Sequence, residues 1–171
     1  SRVDGQIMSS GFKEGQIVKK GDLLFQIDPR PFQAQIKQAE ANLARDQAQL
    51  DKAKSDLERY SMLSNKGYSS QQRYEEARAA VDVFSAAIRA GEQTVEIARL
   101  NLEFTTINAP VTGRAGSMLV YPGNLVEANK EPPLVTINEI QPIQVGFSIP
   151  EQYLTEIKRR MAQKNLEVGV S

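Results

Sequence analysis

The chain has 171 residues, enough for one ordinary domain or two small ones. Lys plus Arg is 21 and Asp plus Glu is 21, so the formal charge is zero and the basic excess that holds a protein to nucleic acid is missing. Cysteine and histidine are absent, which excludes disulfides, thiolate chemistry, zinc sites built on His or Cys, and His-dependent catalysis.

At the start of the chain, Ser1 is not followed by a charged-then-apolar leader. That leaves a cytosolic chain, or one whose leader is not part of this sequence. No run approaches the ~20 apolar residues of a membrane span. Hydrophobic residues at 40% and charged residues at 25% fit a folded chain. None of the eight prolines lies between Phe32 and Ala109, and only Gly67 and Gly91 of the eleven glycines fall there. Pro and Gly interrupt helices, so the middle reads helical and the flanks read as strands and turns.

The first flank contains Gly15-Gln16-Ile17-Val18, then Lys19-Lys20-Gly21-Asp22, then Leu23 to Asp28. This reads as turn, short strand, turn and alternating strand. The first helical arm carries Phe32, Ile36, Ala39, Leu43, Asp46, Leu50, Ala53, Leu57 and Tyr60. The second carries Tyr74, Ala77, Val81, Phe84, Ile88, Gly91, Val95, Ala98 and Leu102. Steps of three and four alternate throughout, which is a heptad seam that asks for a coiled-coil partner. Each arm is roughly 35 residues, or ~50 Å. Asp46 on the seam is expected to be satisfied by a neighbour or to lie where the arms splay. Gly91 is expected to allow close approach.

Asn65 to Ser70 connects the arms. Gly67 is expected to C-cap the first, and Ser69 to N-cap the second with Gln72 completing a capping box. So short a connection makes the arms antiparallel neighbours. Half of a four-helix bundle, or a self-associating coiled coil, fits the pattern as well as a free-standing hairpin. Ten basic and eleven acidic residues between Pro31 and Phe104 make a mixed, solvated face without a basic stripe.

Beyond the arms, Ile107 to Gly113 supplies another strand and a glycine turn. Gly123-Asn124-Leu125-Val126, a turn through Lys130, Pro132 and Pro133, and Leu134 to Asn138 then repeat the first flank. Two matching half-motifs imply a small β-sandwich of two similar halves, with the hairpin inserted between them. Next, Pro142 to Pro150 alternates like a strand. Glu151 to Gln163 reads as a short helix with Tyr153, Leu154, Ile157 and Met161 on its apolar side, and Leu166 to Val170 reads as another strand.

The stretch Gly11 to Asp28 resembles the first half of a biotinyl/lipoyl-like domain. With Asp28-Pro29-Arg30-Pro31-Phe32, the hairpin, and Ile107-Asn108-Ala109-Pro110 with Gly113, the whole chain resembles the periplasmic membrane fusion proteins. These are adaptors of tripartite efflux pumps, of the HlyD, AcrA and MexA kind that serve RND transporters. Each glycine-turn motif alone is weakly specific, whereas their order around a long hairpin is highly specific. The resemblance implies an α+β fold: a lipoyl-like β-sandwich (residues 1–30 plus 105–140), split by an inserted antiparallel coiled-coil α-hairpin (31–104, tip at 65–70), then the start of a β-barrel domain (141–171). Thirty residues cannot close a barrel, so a fragment is expected.

In that family the hairpin tip meets a TolC-like outer-membrane channel, and Arg59, Leu63 and Ser70 stand at the spacing of its tip motif. A guanidinium can reach carbonyls or carboxylates on a partner helix end, Leu63 offers a small apolar knob, and Ser70 a compact hydroxyl. Each also has a blander reading: Arg59 as a solvated charge, Leu63 as packing under the turn, Ser70 as a share of the capping work. The resemblance further implies an inner-membrane RND transporter, a ring of copies of this chain (six in the family), no nucleic acid, and a periplasmic location with attachment to the inner membrane through a segment outside this chain. No catalytic, cofactor-binding or metal-binding residue is expected. Lys19 and Lys20 sit in a different turn from the lysine of a true carrier domain, and the carrier's lysine hairpin is here opened into the coiled coil, so no lipoyl or biotin attachment is expected. The rival readings are an adaptor of an ABC or major-facilitator exporter, a lipoyl/biotinyl carrier domain of an enzyme complex, and a structural coiled-coil protein.

Overall fold

Alternating short strands bounded by glycine turns pair wherever a polar edge can be satisfied, and here they pair across the two flanks. A computed structural model describes residues 1–65, 70–140 and 158–159. Its strands are β1 (Gly5–Ser10), β2 (Ile17–Val18), β3 (Leu23–Ile27), β4 (Thr106–Asn108), β5 (Gly113–Met118), β6 (Leu125–Val126) and β7 (Val135–Asn138). Two helices, α1 (Arg30–Asn65) and α2 (Gln71–Glu103), stand between β3 and β4. Every pairing is antiparallel. One sheet has the order β4-β3-β1-β6 and the other β2-β5-β7.

The two flanks are related residue by residue, at one constant offset through most of their length. Gln16 N–H donates to the Lys13 carbonyl, and Asn124 N–H to that of Tyr121. The Lys13 N–H donates to Gln16 Oε1 at 2.9 Å, and Tyr121 N–H to Asn124 Oδ1 at 2.9 Å. Gly15 and Gly123 both have positive φ (74° and 96°), as do Gly21 and its counterpart Asn129 (95° and 56°). Asn is the residue other than Gly that most readily takes this conformation.

Each half lends its two-residue strand to the other half's sheet: β2 pairs with β5, and β6 with β1. The exchange is reciprocal at the level of single bonds. Ala115 N–H donates to the Gln16 carbonyl at 2.9 Å, and Ile7 N–H to that of Asn124 at 2.9 Å.

Both sheets close on one core that includes Ile7, Phe12, Val18, Leu24, Phe25, Ile27, Ala115, Val120 and Val126. The Phe12 and Phe25 rings meet edge to face, 5.4 Å apart at 87°, the geometry their quadrupoles prefer. Phe25, Ile7 and Ile27 are fully buried, each contributing about 1.5–3 kcal/mol of apolar transfer.

The helices pack against each other and run antiparallel: Arg99 near the end of α2 bonds Glu40 near the start of α1 at 3.0 Å, and Gly91 faces Leu43. Every seam position read from the sequence is buried or half-buried. Asp46 is satisfied by its neighbour: Arg45 donates to it through Nε at 2.9 Å and Nη2 at 2.7 Å.

One capping expectation needs correction. The N-cap of α2 is Ser70, not Ser69: its backbone is extended (φ −72°, ψ 148°) and its hydroxyl accepts from Arg73 N–H. The residue three beyond this cap is Arg73, so the capping box with Gln72 is not the arrangement formed. Gly67 and Ser69 lie outside the described residues.

The chain divides into two units, Ser1–Glu139 and Ile140–Ser171. Of the second, Ile140 and the helical pair Lys158 and Arg159 are described. The strands expected at Pro142 to Pro150 and Leu166 to Val170, and the rest of the helix expected between them, lie outside the described residues.

Candidate functional site

A hairpin can act at a distance only if both its legs are fixed at the root. The α1 leg leaves β3 through Asp28-Pro29. The Asp28 N–H donates to the Gln6 carbonyl at 2.9 Å, and its carboxylate accepts from the Arg30 backbone N–H at 3.0 Å and from the Arg30 guanidinium through Nε and Nη2. A carboxylate at a helix N-terminus takes up an otherwise orphaned N–H and suits the helix dipole. The side-chain bond from Arg30, and then its backbone bond, hold the Asp28 carboxyl below the usual carboxylate range.

The α2 leg re-enters through Phe104 and Thr105. Thr105 is buried, and its hydroxyl donates to the Leu102 carbonyl at 2.6 Å. Its carbonyl accepts from Ile27 N–H at 2.8 Å and from the Gln26 side-chain amide at 3.2 Å. The Arg2 guanidinium lies 4.9 Å from the centre of the Phe104 ring. Both legs are thereby tied to β3 within a few residues of each other.

At the far end, Arg59 and Leu63 are four residues apart near the end of α1, hence on one face of the helix. Arg59 is exposed and pairs one turn back with Asp56 at 2.7 Å. Leu63 is half-buried, and Ser70 is exposed at the start of α2. Residues 66–69, which join the two sides of the tip, lie outside the described residues. Arg59 and Leu63 therefore share a surface, while Ser70 has an identified local task as a cap.

Two features of the hairpin surface were not read from the sequence. Met62, beside Leu63, is 54% exposed; an apolar residue off the seam was the available signal. On α2, Ala79, Val83, Ala86, Ala90, Ile97 and Leu100 form a second row off the seam, all exposed. The outer face of α2 is thus apolar along one line rather than uniformly solvated. Its steps of three and four were present in the sequence, but Gln93 interrupts the row. A cleft between the helices below the tip is lined by Lys52, Asp56, Tyr60, Arg73 and Phe84 among others.

Lys19 and Lys20 are exposed. Their turn is held by Lys19 N–H to the Asp22 carboxylate at 2.8 Å and Lys20 N–H to Thr112 Oγ1 at 2.9 Å. Among the described residues, no helix is long and apolar enough to cross a membrane, and no cluster of three or more carboxylates could hold a metal ion.

Residues 1–138 match the family model described as the RND MFP barrel-sandwich hybrid domain. Multidrug resistance protein MdtA of Yersinia pseudotuberculosis is 42% identical over 167 residues, covering 98% of this chain and 37% of that protein. The MdtA protein of Proteus mirabilis is 42% identical over 165 residues, 96% of this chain and 40% of its own length. Among solved structures, MacA from Actinobacillus actinomycetemcomitans superposes with a TM-score of 0.67 at 32% identity, over 82% of this chain and 48% of that one. The chain thus spans less than half the length of each of these relatives.

Proposed function

The chain belongs to the RND membrane fusion protein family, and from that premise we propose that it is the reaching part of a periplasmic adaptor that links an inner-membrane RND-type transporter to a TolC-like outer-membrane channel. The observation that carries this reading is the hairpin. Its helices of 36 and 33 residues leave and re-enter the β unit at one hydrogen-bonded root, which makes a lever roughly 50 Å long. The β unit is the lipoyl-like sandwich (1–30 plus 105–140) into which the hairpin (31–104) is inserted, and residues 141–171 begin a barrel domain.

The tip, with Arg59, Leu63 and Ser70, docks on the helical end of the channel. Met62 adds exposed apolar surface there, and Arg59 can exchange Asp56 for a carboxylate or carbonyl of the partner. An exposed ion pair such as Arg59–Asp56 is worth only about 0–1 kcal/mol, so giving it up costs little. Copies of the chain assemble side by side in a ring, six by analogy with the family. The exposed apolar row on α2 supports hairpin-to-hairpin contact along that ring, since apolar rows at helical spacing are covered by packing against another helix. The work is mechanical and connective, with no catalytic step and no cofactor.

The test uses the absence of native cysteine. Because Ser70 caps α2, the probe belongs at Met62→Cys, which is exposed and leaves the cap intact. The full-length variant is labelled in the host with a thiol–photo cross-linker, and the adducts are identified by mass spectrometry. Adducts with an outer-membrane channel are expected. Adducts confined to the same protein, or to a cytosolic enzyme complex, from a folded variant would replace this reading with the coiled-coil or carrier alternative.

A further inference from the structure

The cleft below the tip gathers more charge than its ion pairs use. It is open because its floor is small: Ala53 and Ala77 are buried where the helices meet. Its rims carry Lys52 and Asp56 from α1, and Arg73 and Glu76 from α2. Both carboxylates are engaged from within their own helix. Asp56 accepts from Arg59 Nη2 at 2.7 Å, and Glu76 from the Gln72 side-chain amide at 2.8 Å. Both cations are spare. Among the described residues, the side chains of Lys52 and Arg73 make no hydrogen bond or ion pair, and Arg73 is tied at the cap of α2 through its backbone N–H alone.

The pair in use and the pair in reserve have different consequences. Arg59 and Asp56 are three residues apart, so their bond holds α1 to itself. A bond from Asp56 to Arg73 joins α1 to α2. The Asp56 side chain is 32% exposed and that of Arg59 63%. When Arg59 turns outward to a partner, Asp56 is therefore the group left with less water. A half-buried carboxylate without a partner is costly, so it takes a free cation from the cleft. Arg73 suits it better than Lys52. A guanidinium can bond a carboxylate through two parallel N–H groups, which an ammonium cannot. Lys52 also precedes Asp56 by four residues, the less favourable order for an ion pair on a helix.

We propose that Asp56 and Arg73 are positioning residues for docking. When Arg59 leaves Asp56 for the channel, Arg73 takes its place and ties the two arms together beneath the tip. This deepens the docking reading and rests on it. One carboxylate serves two guanidinium groups in turn: it holds Arg59 back along α1 before docking and locks α1 to α2 afterwards. The tip is thus stiffened in the docked state in particular. By linkage, whatever strengthens the Asp56–Arg73 pair also strengthens docking.

The first test needs no channel. Full-length chains are compared by amide hydrogen exchange over the arms beside the cleft, with Arg59→Gln imitating the released state. In that background Arg73→Gln is expected to speed exchange about two- to fivefold, the range of a single partly exposed ion pair. In the parent chain the same substitution is expected to change nothing, because Asp56 is occupied. Adding Asp56→Asn to the Arg59→Gln chain should abolish the effect. No effect in the Arg59→Gln chain, or an equal one in both backgrounds, would overturn the proposal. So would an effect that survives Asp56→Asn, which would make Glu76 the partner, or one produced by Lys52→Gln in place of Arg73→Gln.

The second test uses the Met62→Cys probe in the host. Arg73→Gln is expected to lower channel adducts several-fold while Asp56 is present, and not after Asp56→Asn. Equal losses with and without the Asp56 carboxylate would mean that Arg73 meets the channel directly, and would overturn the change of partners. Absence of channel adducts with Arg73 intact would overturn the docking reading instead, and the exchange rates would still decide whether Asp56 changes partner.

Discussion

Asp28 and Gly91 show how single side chains set the behaviour of a hairpin. The Asp28 carboxyl is held below its ordinary value by Arg30. A carboxyl with a depressed folded value adds stability that is present above its unfolded value, about 3.9, and is lost as pH falls through the folded value. Asp28→Asn should therefore lower Tm at neutral pH, and the difference from wild type should shrink to nothing in strong acid. Thermal unfolding followed by circular dichroism from about pH 7 down to about pH 2 checks this. A Cβ built on Gly91 would lie 3.0 Å from Leu43 Cδ1, the far end of a flexible side chain. Gly91→Ala asks only for a small adjustment and gains helix propensity, up to about 1 kcal/mol. Gly91→Leu overpacks the seam and should cost about 1–3 kcal/mol. Opposite signs in urea denaturation are the expected result.

At the scale of elements, the arms were legible because periodicity is local. A residue three or four positions on lies on the same helix face whatever the rest of the fold does, and all eighteen seam positions are at least partly buried. Asp46 shows the limit. Its partner is the adjacent Arg45, a pair that helical spacing does not bring face to face, so the seam pattern could not nominate it. The cap of α2 was legible only to within one residue. Ser69 and Ser70 offer the same hydroxyl, and the choice falls to the one whose backbone is extended where the helix begins. The Ser70 bond to Arg73 N–H is long at 3.4 Å, so the cap is at the weak end of its range. Ser70→Ala should cost about 0.5 kcal/mol and Ser70→Asp almost nothing. If Ser70 also meets a channel, Ser70→Asp should weaken channel cross-linking despite intact stability, and a cross-linking assay on both variants separates the two roles.

For the whole molecule, the glycines of the repeat test whether the two halves are equally constrained. Gly5 and Gly113 are counterparts that open β1 and β5, and neither has room for a Cβ. At Gly5 the obstacle is the Ile27 Cγ2 methyl at 2.5 Å; at Gly113 it is the Asn138 backbone carbonyl oxygen at 2.4 Å. A side chain can rotate away, whereas a backbone carbonyl in a sheet moves only with its strand. Gly113→Ala should therefore separate β5 from β7 and cost above about 3 kcal/mol, against about 1–3 kcal/mol for Gly5→Ala. Equal losses by thermal unfolding would mean that the β5–β7 pair is as compliant as a side chain. The tip residues Arg59, Leu63 and Ser70 were nominated by family spacing rather than by chemistry, and the apolar row on α2 was overlooked because a single Gln breaks it.

The sequence by itself determined what depends on near neighbours along the chain: two helical arms, their seam, the glycine turns, and the kinship of the two flanks. These follow from backbone preference and side-chain spacing, which act over a few residues. Only the tertiary structure decided that the halves exchange their short strands and that the returning hairpin leg is tied to β3 beside the departing one. Those outcomes depend on hydrogen bonds between residues about a hundred positions apart, such as Ile7 with Asn124 and Ala115 with Gln16. A two-residue strand carries no pattern that names its distant partner; the partner is fixed only when the buried core and the satisfied backbone groups select one pairing together.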